Sequence, residues 1–130
     1  MLSDFIDPFL VIKVGIREWI FIRGSKQVHI STFVFLKDKK IISIGESSVS
    51  GERVEIFGTN IENDMRYQLM GALFLYGLRK VSGILLIRPR VKIQGAFHLH
   101  DILDGKEKEL LVSLVKEKGA REAIIEELPL

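Results

Sequence analysis

Two stretches of helical periodicity, each bracketed by short apolar segments, constrain this chain more than any other feature of it. In the last third, Leu110, Leu111, Leu114 and Val115 recur at the spacing of one helical face. Asp104-Gly105-Lys106-Glu107 has the form of a capping box ahead of them, and Gly119 offers a left-handed residue to close the last turn. An apolar run from Gly83 to Ile87 precedes this helix, and Ile124-Ile125 follows it. The spacing predicts strand, helix, strand. Thr59-Asn60-Ile61-Glu62 is a second capping box, with Met65, Leu69, Ala72, Leu73 and Tyr76 at helical spacing up to Ser82-Gly83.

The first half reads as strands. Phe9 to Gly15 is apolar, Trp19 to Gly24 follows a polar turn as its hairpin partner, Val28 to Leu36 is a third strand, and Lys40 to Gly45 a short fourth. Ser43 to Gly58 is loop-rich, with four serines or glycines clustered between Ser47 and Gly51, and it lies within the domain. The expected order is three or four strands, a helix, a strand, a second helix and a last strand.

This order, ending in Gly119-Ala120-Arg121-Glu122 and then Ile124-Ile125-Glu126-Glu127-Leu128-Pro129, resembles the first lobe of the bacterial actin-like rod-shape proteins of the MreB type. The resemblance implies an α/β fold: a single actin-like (ribonuclease-H-like) half-lobe, subdomain IA, with a mixed sheet and about two main helices. Residues 1–130 are then one domain. At this length a chain buries roughly two thirds of its unfolded surface, enough for one core without disulfides or metal. The absence of cysteine removes disulfide frameworks, thiolate nucleophiles and cysteine-ligated zinc together.

The net charge of +2 arises from 19 basic and 17 acidic residues spread along the chain, so composition gives no argument for nucleic acid as a partner. No run approaches the roughly 18 apolar residues that cross a bilayer, and the N-terminus lacks the pattern of a secretory signal. A cytoplasmic location is expected. Residues 1–10 are apolar enough to invite comparison with a membrane toe, but Asp4, Asp7 and Pro8 favour a plain lead-in to the first strand.

In the family resembled, ATP and Mg²⁺ sit against a first-strand turn written Asp-Leu-Gly-Thr. The matching residues here are Lys13-Val14-Gly15-Ile16, so only Gly15 remains as a vestigial phosphate turn. An ammonium replaces the carboxylate that organises the metal, and a branched alkyl replaces the hydroxyl. Read as a hairpin residue, Gly15 simply serves a tight turn. The second glutamate of the family's Ile-Glu-Glu-Pro word falls on Leu128, with Glu127 at the first. No cofactor, no metal and no catalytic residue are therefore expected, and the chain is read as non-enzymatic.

Fourteen residues separate Pro89 from Asp104, where the family resembled passes from strand to helix after a few. The expectation is an inserted edge strand. Val91, Ile93, Phe97 and Leu99 alternate with polar residues, and Gly95 marks a bend. Arg88, Arg90 and Lys92 then form one cationic row, either a partner-binding surface or a charge guard against edge pairing. His98 and His100 would share one face of that strand, with Asp101 next, a set that rarely closes a metal shell without another element. His29 is expected at a core or boundary position, and Trp19 and the eight phenylalanines in the core or an interface.

Two functions of different class follow. One is a non-catalytic, actin-like interaction module of the cell-shape machinery, self-associating as a dimer or engaging other actin-like proteins, with contact at the inner membrane surface. The other is the first-lobe fragment of an ATP-binding filament protein. A basic strand-edge adaptor for anionic lipid or RNA is a third reading.

Overall fold

The alternation of the strand residues fixes one face of a sheet as core. Leu10, Ile12, Trp19, Phe21, Val91 and Ile93 are at most 1% exposed, while their neighbours along each strand are half-buried or exposed. In the computed structural model, which describes residues 9–83 and 88–126, these residues belong to β1 (Phe9–Lys13), β2 (Glu18–Arg23) and β7 (Arg90–Gln94). With β3 (Lys26–Ser31) and β8 (Glu122–Ile125) they form a five-stranded sheet of order β3-β2-β1-β7-β8. β1, β2 and β3 are antiparallel neighbours, whereas β7 runs parallel to β1 and β8 parallel to β7. The fold is mixed α/β with two helices, as expected.

Helix α1 (Asn63–Ser82) connects towards β7, and α2 (Glu107–Lys118) connects β7 to β8. Both parallel connections step the same way across the sheet, and connections of one hand then place both helices on one face. Accordingly α1 packs on β2 and β3, α2 packs on β8, and the helices touch each other. Leu69, Met70, Leu73, Phe74 and Leu78 of α1 and Leu111, Leu114 and Val115 of α2 close the core over the strands. Met65, expected on that stripe, is 42% exposed, because the buried face is rotated towards Met70 and Phe74. Among the described residues no helix is long and apolar enough to cross a membrane.

The expected third strand, Val28 to Leu36, is two strands. At Thr32 the chain leaves the main sheet, and β4 (Phe33–Lys37) joins β5 (Lys40–Ile44) and β6 (Glu52–Glu55) in a second sheet of order β5-β4-β6. Thr32 is 1% exposed and holds the pivot: its N–H donates to Arg17 O (3.0 Å), its hydroxyl donates to Ile16 O, and its carbonyl accepts from Ile56 N–H (3.0 Å). Strand β6 lies inside the stretch read as loop, because its alternation is too short and too polar to register without β4 beside it.

Neither capping box caps a helix. α1 starts at Asn63 after Glu62, α2 starts at Glu107 after Lys106, and neither preceding residue makes a side-chain cap. Asp104 lies at φ +54° and Gly105 at +73°, a left-handed pair that finishes the preceding turn, with Gly105 N–H on His100 O (2.9 Å). An N-cap needs an extended backbone, so Asp104 is unable to serve as one. Gly119 does end α2 with positive φ, its N–H on Val115 O.

The expected strand at Gly83–Ile87 falls largely outside the described residues. Strand β7 lies between β1 and β8, so residues 90–94 are interior to the sheet and not an inserted edge. The predicted strand does not continue to 100. Gly95, at φ +80°, breaks it where a Cβ would come 2.7 Å from Val14 O, and a 3-10 turn follows over Ala96–Leu99. The lead-in at residues 1–8 and the glutamate Glu127 also lie outside the described residues.

Candidate functional site

With both helices on one side, the other face of the five-stranded sheet carries no described element. The strand registers arrange its side chains in rows. One row runs Gln27, Ile22, Val11, Lys92, Ile124 from β3 to β8, and the next runs His29, Ile20, Lys13, Gln94, Glu126. Val11, Ile20 and Ile22 are half-buried and form an apolar patch on the antiparallel half of the sheet, while Ile124, 43% exposed on β8, is set apart from it by Lys92. The flanks are ionic.

On the parallel side, Gln94 Nε2 donates to Glu126 Oε1 (2.6 Å) and Lys92 Nζ lies 3.3 Å from Oε2. The Gln94 hydrogen bond first, and the Lys92 charge with it, hold the Glu126 carboxyl below its ordinary value. On the antiparallel side, Gln27 Nε2 contacts His29 Nε2 at 2.7 Å, and His29 Nδ1 lies 3.3 Å from Glu18 Oε2. His29 is thus an exposed residue of this face and not the core or boundary histidine expected, because the odd positions of β3 point away from the helices.

Lys13, the residue that replaces the family's metal-organising carboxylate, is exposed in this same face between Ile20 and Gln94. The turn beyond it is tied down through its carbonyls, Ile16 O and Arg17 O both accepting from Thr32, while the Ile16 side chain is 48% exposed. Gly15 has a steric reason of its own: a Cβ there would approach Glu18 O at 3.0 Å.

The expected row of Arg88, Arg90 and Lys92 is split. Arg90 and Lys92 are half-buried on the interior strand β7, whereas Arg88 precedes the strand and lines a concavity with residues of α1 and α2. Their alternation was legible, but the strand's place inside the sheet removes the edge on which the row was set. His98 and His100 do not share a strand face either. His98 stacks near Phe97 (ring centroids 4.1 Å apart), and His100 Nδ1 lies 3.3 Å from Oε1 of Glu107, a carboxylate only 4% exposed.

One buried cation was not anticipated. Arg66 is 6% exposed and donates from Nε to Ile56 O (2.9 Å), from Nη2 to Gly58 O (2.5 Å) and, at 3.4 Å, from Nη1 to Asn63 Oδ1. It fastens the segment after β6 to α1. An arginine in the first turn of a helix carries no local signal of burial, so nothing in the sequence singles it out.

The fold and this face together define a small mixed α/β domain with a one-sided sheet. No family model matches the chain, and no curated protein matches it.

Proposed function

We propose that the chain is a non-catalytic, actin-like interaction module of the bacterial cell-shape machinery, acting in the cytoplasm through the uncovered face of its five-stranded sheet. One observation carries this reading: β1, β7 and β8 are a parallel set, such sets are ordinarily covered on both faces, and here α1 and α2 cover only one. The patch of Val11, Ile20 and Ile22, with Ile124 exposed beyond Lys92, gives a partner apolar area to bury, and the ionic flanks give it register. Lys13 in the middle of the face disfavours Mg²⁺ where the resemblance would put it, which supports a binding role over phosphate chemistry.

The simplest partner is a second copy, in a closed dimer. Sedimentation velocity is expected to show a dimer at micromolar concentration that Ile22→Arg or Ile124→Arg converts to a folded monomer. A wild-type chain that stays monomeric at high micromolar concentration overturns self-association. Micromolar, magnesium-dependent ATP binding in calorimetry overturns the non-catalytic reading and favours the filament-fragment alternative.

A further inference from the structure

Where α1 and α2 end, the structure leaves a concavity of ≈ 610 Å³, within the size range of small-ligand sites. Leu75 and Leu78 of α1 give it an apolar wall, Leu78 being 4% exposed. Gly83 and Gly119, which end the two helices at positive φ, also line it. The remaining lining residues are Arg79, Arg88 and Lys118, all exposed. Among the described residues no acidic one lines the concavity, and none of the three bases has a carboxylate partner.

Part of this arrangement needs no ligand. Arg79 and Lys118 lie in the last turns of α1 and α2, where a cation offsets the negative end of the helix dipole. Arg88 belongs to neither helix, and the dipoles give no reason for a third cation at the same mouth. An apolar wall beneath three cations, of which Arg88 has no helix dipole to offset, has the chemistry of a receptor for a molecule with a hydrocarbon part and an anionic head.

We propose that this concavity binds a small amphiphilic anion, an alkyl carboxylate whose chain lies along Leu75 and Leu78 and whose head is held among Arg79, Arg88 and Lys118. The site is independent of the open sheet face, and neither assignment depends on the other.

The test is titration of the full chain with decanoate below its micellar threshold, at low salt, followed by calorimetry and by NMR shifts of Leu75, Leu78 and Gly119. Saturable one-to-one binding is expected. Affinity should rise roughly fourfold per methylene from hexanoate upward until the wall is covered. Arg88→Gln should weaken decanoate about tenfold or more, as should Arg79→Gln with Lys118→Gln, while decyltrimethylammonium, with the same chain and opposite charge, does not saturate. Arg88 lies off both helices, so its variant is expected to melt as the parent does. The proposal is overturned if decanoate fails to saturate, if the cationic amphiphile binds as tightly, if Arg88→Gln binds unchanged, or if the site accepts only an acidic, leucine-bearing peptide.

Discussion

Gly77 of α1 lies directly against the ring of Phe21 on β2, with no room between them for a methyl group. The contact sets how closely the helix approaches the sheet, since Phe21 is fully buried and also lies beside Phe74 (centroids 6.4 Å apart). Gly77→Ala forces the helix or the ring to move and is expected to cost about 2–3 kcal/mol. Gly71, in the same helix, gives the contrast: its added Cβ would meet the flexible Lys118 side chain, closest at Cε (2.8 Å), with Cδ and Cγ at 3.7 Å. Gly71→Ala should be stabilising by about 0.5–1 kcal/mol through helix propensity. Urea denaturation of the two variants checks both signs, and a Gly77→Ala as stable as the parent would remove the close-approach argument.

Arg66 predicts a second large effect. Its guanidinium serves the carbonyls of Ile56 and Gly58 from a site almost without solvent. Arg66→Met keeps most of the volume but leaves both carbonyls unpaired, for an expected loss on the order of 2–4 kcal/mol. Amide exchange should accelerate first in residues 52–58, which the arginine fastens to α1. Uniform acceleration throughout the domain would show that the clamp is not local.

At the junction of the two sheets, Thr32→Val preserves shape and removes the hydroxyl that donates to Ile16 O. Equilibrium unfolding is expected to show a loss of about 1–2 kcal/mol. The change should appear in the NMR signals of residues 14–17 as well, because that turn loses a tether. Signals confined to β4 would count against the tether.

Glu126 links pH to stability. Its carboxyl is held below the ordinary value of 4.5 by Gln94 and Lys92, so its contribution is present above that value and disappears as pH falls through the lowered folded value. Removing the larger cause, with Gln94→Ala, should move the carboxyl back up towards 4.5 and flatten the acid limb of the stability profile. Carbon-detected titration of Glu126 reads the shift directly. A carboxyl that titrates identically in parent and variant would exclude Gln94 as the cause.

The sequence by itself determined the two α-helical segments and the alternation around Val91 and Ile93, because periodicity is a property of neighbours along one chain, whereas it left Trp19 between core and interface and read the 3-10 turn at Ala96–Leu99 as strand. Helix starts were less legible. Asp104 and Thr59 carry capping chemistry, but a turn fixed from outside the helix set the backbone at Asp104, and the first helix began beyond Thr59. Only the tertiary structure decided that residues 90–94 are interior to a sheet, that residues 28–36 serve two sheets, and that Arg66 is buried. Each of these depends on what lies beside a segment across tens of residues of sequence. A cation on an edge strand and one on a central strand have the same local pattern, and only the neighbouring strand distinguishes them.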